Sequence, residues 1–252
     1  MARFAGRTVL VTGGAGGLGL AIGETFAADG AEVVLVDRDE ARLADAVAAL
    51  VAGGHAVSGL AADLSDETAI AALAARFMES HDRLDVLVNN AGLAYGEIAH
   101  GFFGLGLAKW QRFLTINTIA PLLLAEALRD PLAKAGGLII NQSSMASYVP
   151  GTAYGITKAA LNAVTFGLAS QLGGQGIRCV AIAPGMMETE ASAAALGEEQ
   201  IAGLTAMQLA PARRGSPRDI ATLCAFLASD EGGFINNEVI SVDAGSRIRG
   251  FR

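Results

Sequence analysis

A chain of 252 residues, 52% hydrophobic and 17% charged, can bury a substantial core in one large domain or two small ones. Its net charge of -7 comes without any Lys/Arg-rich stripe, which leaves nucleic-acid and anionic-membrane binding without an electrostatic basis. No apolar run is long enough to span a bilayer, and the glycine-broken run after Arg3 and Arg7 ends in a helical pattern rather than a signal-peptide cleavage site.

Short β-branched runs alternate with longer helical patterns from end to end. Strands are expected at Thr8–Thr12, Glu32–Val36, Ala56–Ala61, Val86–Asn89, Leu138–Asn141, Arg178–Ala183 and Val239–Val242. Helical patterns lie between them near residues 18–29, 40–52, 67–80, 108–134, 153–173 and 217–229. Apolar strands alternating with helices imply an α/β fold: a doubly wound, Rossmann-type, mostly seven-stranded parallel sheet with helices on both faces. No linker or low-complexity segment divides the chain, so a single domain is expected.

"TGGAGGLG" (12–19) stands where the first strand hands over to the first helix. Gly13, Gly17 and Gly19 there permit a tight turn, close approach of backbone to a pyrophosphate, and close helix–strand packing. The helix beginning near Leu18 points free amides and its positive dipole end at the anion. The second strand ends in "VLVDRD", which places Asp37 eighteen residues beyond Gly19, where an acid can accept hydrogen bonds from an adenosine ribose. Cys179 and Cys224 sit in apolar surroundings and read as buried free thiols, compatible with a reducing cytoplasm. His55, His81 and His100 share no ligand spacing with them or with each other, so no metal site is expected.

From here the chain resembles the short-chain dehydrogenase/reductase family over essentially its full length. The motifs are "TGGAGGLG" (12–19), "DL" (63–64), "NNAG" (89–92), Asn117 in the fourth helix, "NQSS" (141–144), "YGITK" (154–158), "PGMMET" (184–189) and "SVDAG" (241–245). Tyr154 and Lys158, four apart on a helix, project from one face. A free tyrosine is a poor base at neutral pH, and a nearby ammonium is expected to favour its phenolate. An ordinary solvated pair is the competing reading. It is countered by the isolation of Lys158, the one charge between Lys134 and Arg178.

The resemblance implies Tyr154 as general acid/base, with Lys158 tuning it and holding the nicotinamide ribose. It implies Ser144 as hydrogen-bond donor to the reacting oxygen and Asn117 as support for a water-linked proton path to Lys158. Asp63 and Leu64 would contact adenine, and Asn90, Ala91 and Gly92 would line the cofactor. Pro184, Gly185, Met187 and Thr189 would follow on the far side, Thr189 holding the carboxamide. Plain structural roles compete: Asn89 and Asn90 as a strand-to-helix turn, Asn117 as a helix-bending polar residue.

The segment "MASYVPGTA" before Tyr154 is a few residues shorter than in most relatives, and Asn237 stands where the family commonly has glycine. The short segment leaves Ser143, Ser144 and Ser147 as candidates for the serine. "GLIINQSS" follows the family's strand without a gap and ends on Ser144, and alternation keeps Ser143 and Ser144 from facing the same way. The expected cofactor is NAD, because Asp37 would repel a 2′-phosphate, although Arg38 can recover part of that loss.

The expected activity is hydride transfer between NAD(H) and a secondary alcohol or its ketone. A 3-oxoacyl-thioester reductase is the alternative within enzymes. A non-catalytic dinucleotide-binding regulator is the alternative outside them. Residues 186–209, with Tyr95, Met145 and Tyr148, suggest a lid over a mostly apolar small-molecule pocket. A helix at 153–173 that is apolar all round suggests a homo-oligomer, dimer or tetramer.

Overall fold

Every residue of Thr8–Thr12 is buried, as a strand must be when both faces of its sheet are covered. In the computed structural model, which describes residues 2–209 and 213–246, this β1 belongs to a seven-stranded parallel sheet of order β3-β2-β1-β4-β5-β6-β7. The other strands are β2 (Glu32–Asp37), β3 (Val57–Ala61), β4 (Val86–Asn89), β5 (Leu138–Gln142), β6 (Arg178–Pro184) and β7 (Glu238–Val242). The expected doubly wound single domain is what the chain forms. β1 and β4 fall on the expected residues, and the other five strands differ by one residue at one end.

Helices cover both faces. They are α1 (Gly17–Ala28), α2 (Glu40–Ala52), α3 (Glu67–Ser80), α4 (Glu97–His100), α5 (Gly106–Leu114), α6 (Ala120–Ala127), α7 (Arg129–Ala135), α8 (Ala153–Leu172), α9 (Glu190–Ala195), α10 (Glu198–Ala206) and α11 (Pro217–Ala228). The period of two along each strand sorts the core. Val9 and Val11 pack with Ile22 and Phe26 of α1, Leu43 of α2 and Cys224 of α11. Leu10 faces the opposite layer, with Phe77 of α3, Leu124 of α6 and Leu168 of α8. Both cysteines are free and buried, as expected.

The helix expected over residues 108–134 is corrected. It starts earlier, at Gly106, and is interrupted by a π turn at Thr115–Ile119 and by a break at Leu128. A π turn carries one residue more than an α turn, and here that widened turn is centred on Asn117. Asn237 has a φ of 58°, the left-handed region where glycine is cheapest and asparagine is the best-tolerated alternative. This accounts for the glycine common in the family at that position.

Two features bring the site together. Strand order reverses between β1 and β4, which opens a crevice at the carboxyl ends of the strands. Across that crevice's floor the Asn89 amide donates to Asn141 Oδ1 at 2.8 Å, and Asn141 Nδ2 donates to Thr165 Oγ1 of α8 at 2.9 Å. All three residues are buried. Asn141→Ala removes both of these bonds but leaves Thr165 its bond to the Leu161 carbonyl at 2.9 Å and Asn89 a longer one to the Pro121 carbonyl at 3.5 Å, so a cost on the order of 2 kcal/mol is expected in a urea unfolding titration.

Candidate active site

The first helix is built to receive something at its amino end. α2, α3 and α8 are capped by the side chains of Asp39, Asp66 and Thr152, whereas Gly16 offers α1, as Leu105 offers α5, no side-chain cap. The first amides of α1 are left for another acceptor. Gly17 has a φ of 54°, and a Cβ there would meet nothing nearer than Thr189, at 3.9 Å. The turn thus faces the Thr189 segment across a gap. Gly19 serves packing instead, since its Cβ would fall 2.0 Å from the Gly13 carbonyl oxygen. Leu18 packs partly buried on the core.

Two strands fasten this turn. Asn90 Nδ2 donates to the Thr12 carbonyl at 2.9 Å and to the Gly13 carbonyl at 3.3 Å. The amides of Asn90 and Ala91 both donate to Thr12 Oγ1 at 3.0 Å. From β2, Asp37 Oδ2 accepts the Ala15 amide at 3.2 Å, which points the carboxylate into the turn. Arg42 was not apparent in the sequence: it reaches across from α2, so that a Cβ on Gly16 would lie 2.9 Å from its Nη2. It also pairs with Glu190 at 3.1 Å. Only the fold places it there, since it lies four residues past Arg38 in a different element.

At the other end of the crevice, α8 presents Tyr154 and Lys158. Lys158 Nζ donates to the Gln142 carbonyl at 2.6 Å and lies 5.8 Å from the Tyr154 ring centroid. The Ser144 hydroxyl is close enough to the Tyr154 hydroxyl to draw its pKa down. Ser143 and Ser147 are both taken up by Asn162, at 2.6 and 3.0 Å. Of the three candidate serines, Ser144 is thus the one the fold brings to the tyrosine. Gly92 lies against the same group, because a Cβ there would come 3.5 Å from Lys158 Nζ and 3.1 Å from Asn117 Oδ1.

Asn117 is fully buried and saturated: it accepts from the Leu93 amide at 2.8 Å and donates to the Leu93 carbonyl at 2.9 Å and Thr157 Oγ1 at 3.0 Å. These bonds clasp the strand-to-helix loop to α8. None of them reaches Lys158.

A family model described as enoyl-(acyl carrier protein) reductase matches residues 13–247. An uncharacterized oxidoreductase of Mycobacterium tuberculosis is 34% identical over 248 residues, covering 98% of this chain and 99% of the relative. The chain belongs to the short-chain dehydrogenase/reductase family. Among solved structures, a 7α-hydroxysteroid dehydrogenase complexed with NADH and 7-oxo glycochenodeoxycholic acid is 28% identical, with a TM-score of 0.90 over 97% of this chain and 96% of that one. A putative NAD(P)-dependent gluconate 5-dehydrogenase of Beutenbergia cavernae with bound NADP is 33% identical, with a TM-score of 0.86 over 96% of both chains.

The other residues that the family resemblance assigns to cofactor contact have local partners of their own. Asp63 accepts the Ser65 amide at 2.9 Å, and its hydrogen bonds to Ser65 hold its carboxyl below the usual range. Leu64 packs half-buried against the sheet. Pro184 ends β6, and Gly185 lies so close to Asp243 that a Cβ would meet its Cα at 2.8 Å. Met187 bridges to Gly215, and its carbonyl accepts the Ser192 hydroxyl at 2.9 Å. Thr189 caps α9, accepting the Ser192 amide at 3.1 Å.

Electrostatics depart from the sequence expectation. Burial pushes the Tyr154 hydroxyl up to about 12, with the Ser144 hydrogen bond pulling the other way, rather than favouring the phenolate. Burial also brings Lys158 down to about 8. The reason is shared: both groups have lost water, which penalises the charged form of each. A neutral tyrosine is a proton donor, and an alkoxide is a stronger base than a phenolate.

A lysine whose folded pKa lies below its unfolded value burdens the fold while it is charged. That burden is full below about pH 8 and fades as pH rises toward the unfolded value of 10.5. Lys158→Met should therefore be more stable than the parent in urea at about pH 7, with the gap narrowing by about pH 9.5.

Proposed function

We propose that this enzyme moves a hydride between NAD(H) and a secondary alcohol or its ketone of mostly apolar character. The observation that carries the reading is the meeting of Ser144, Tyr154 and Lys158 at the carboxyl end of the sheet, beside an uncapped helix start. The chain fits a nicotinamide dinucleotide: Gly17 leaves a cradle facing Thr189, and Asp37 is aimed at the turn where an adenosine ribose would lie. The solved relatives that hold NADH or NADP support the same class of cofactor.

Bound there, a nicotinamide dinucleotide supplies the hydride chemistry. The chain supplies orientation and the proton. Ser144 donates a hydrogen bond to the substrate oxygen, and Tyr154 gives its hydroxyl proton to that oxygen in reduction and takes it back in oxidation. Lys158 would hold the nicotinamide ribose, and its ammonium would return a proton to the tyrosinate. Asn117 fixes the loop carrying Ala91 and Gly92, and Asn90 fixes the glycine turn.

Residues 186–209 form the lid. Two ion pairs from Arg214, to Glu188 and Glu198, and one from Arg42 to Glu190 hold it, all partly exposed. Exposed pairs are worth about 0–1 kcal/mol each, so they steady the segment without locking it. Tyr95, hydrogen-bonded to Thr189 and Ser192, ties the lid's base to the site. An apolar alicyclic alcohol suits this wall, and the bile-acid ligand of the 7α-hydroxysteroid dehydrogenase is support for it.

On α8, Ala163, Phe166 and Gly167 remain exposed in the single chain. That apolar face is the support for a homo-oligomer, dimer or tetramer, and the two buried free thiols suit a reducing cytoplasm.

Ser144→Ala should lower kcat by about 10²-fold or more, as expected on losing one positioned donor. Ser143→Ala and Ser147→Ala should keep most of it. The reverse pattern in steady-state assays on a panel of alicyclic ketones would remove Ser144 from the role.

An NADPH-dependent acyl-thioester reductase is the rival, favoured by the Arg42 guanidinium beside Gly16. A carboxylate about 4 Å from a 2′-phosphate is opposed by roughly 4 kcal/mol per charge at an effective dielectric near 20. Arg42, exposed and shared with Glu190, and Arg38 return part of that loss. The kcat/KM ratio should thus favour NAD over NADP, and Asp37→Ala should shift it toward NADP by about tenfold or more. A parent enzyme that prefers NADP would decide for the rival.

A further inference from the structure

β5 ends in a side chain with nothing to hold. Gln142 is 5% exposed, and neither its Oε1 nor its Nε2 has a hydrogen-bond partner. Its same-face predecessors Leu138 and Ile140, and its β6 neighbour Ile182, are all apolar and buried. A leucine or isoleucine would fill such a column without an orphaned polar group. A buried amide kept there implies a partner outside the chain.

The flanking contacts fix where the amide points. Asn141 reaches Thr165 and Ser143 reaches Asn162, both on α8. The Ser143 amide still donates to the Ile182 carbonyl at 2.7 Å, so the strand's register continues past Gln142. Alternation then sends Gln142 and Ser144 to the other side together, and Ser144 is the serine whose hydroxyl acts on the Tyr154 hydroxyl. The Gln142 carbonyl meanwhile receives Lys158. The idle amide therefore belongs to the floor of the same site.

Its chemistry selects the ligand. One donor group and one acceptor are idle, so the matching ligand offers both. The substrate oxygen already has Ser144 and Tyr154. A nicotinamide ring carries a carboxamide, which offers an acceptor oxygen and an amino donor. Thr189, to which the family resemblance gives this task, has its hydroxyl occupied: it accepts the Ser192 amide at 3.1 Å and contacts Ser192 Oγ at 3.3 Å.

We propose that Gln142 binds the carboxamide of the nicotinamide and so sets which way the ring lies beneath Ser144 and Tyr154. This rests on the dinucleotide reading above, and the test separates the two.

Binding to the full chain is measured by titration calorimetry with NADH, with ADP-ribose, which lacks the nicotinamide, and with the 3-acetylpyridine analogues of NADH and NAD, in which a methyl ketone replaces the carboxamide. Gln142→Leu should weaken NADH about tenfold and leave ADP-ribose within about twofold. It should also abolish the parent's preference for NADH over the reduced analogue. Thermal unfolding checks that the variant folds, and Gln142→Met, of similar length and without hydrogen-bonding groups, should repeat the pattern. If NADH affinity is unchanged, or NADH and ADP-ribose weaken together, the Gln142 assignment falls and an internal water is its partner. If the parent binds neither NADH nor ADP-ribose, the dinucleotide reading falls and takes the assignment with it.

Discussion

One hydrogen bond organises the reacting end of the molecule: the Lys158 ammonium on the Gln142 carbonyl at 2.6 Å. It joins the second turn of α8 to the last residue of β5, and both ends of the bond are buried. A charge in that position has few ways to be satisfied, because burial already works against it. α8 therefore cannot slide along the sheet without stranding an ammonium. Tyr154, one turn earlier on α8, inherits its position, and Ser144, two residues past the carbonyl, inherits the other side.

The polar residues around that bond divide into those that build and those left over. Asn89, Asn141 and Thr165 form a closed chain across β4, β5 and α8. Asn117 and Thr157 form another between the Leu93 loop and α8. Asn162 absorbs two serines. So many buried partners, each satisfied, make the scaffold stiff, and stiffness is what positioned proton transfer requires. Among the described residues, the Gln142 amide has no such partner, and the first amides of α1 have no side-chain cap.

Much of this was legible in the sequence, for physical reasons. Strands covered on both faces are continuous apolar runs, so their positions were readable to within a residue. That Ser143 and Ser144 face different ways was readable because alternation along an extended segment is geometry, not context. Three things were hidden. An apolar pattern does not reveal a single inserted residue, so the π turn at Asn117 was read as unbroken helix. Arg42 reaches the glycine turn only through the packing of α2, which no spacing encodes. The sign of the Tyr154 shift depends on how far burial outweighs a neighbouring ammonium, and burial is a tertiary quantity. Asn117 sits where the helix changes course, and it also clasps a loop.

The π turn at Thr115–Ile119 amounts to a spare residue carried inside a helix. Deleting one residue there would let the segment close into ordinary α-helix, leaving the backbone ladder on either side intact. The helix would survive, and a measure of helical content would register almost nothing. Yet the widened turn that holds Asn117 would be gone, and with it the side chain's hold on Leu93. Secondary structure and site are thus separable here: the chain tolerates shortening as a polymer exactly where it cannot tolerate it as a machine.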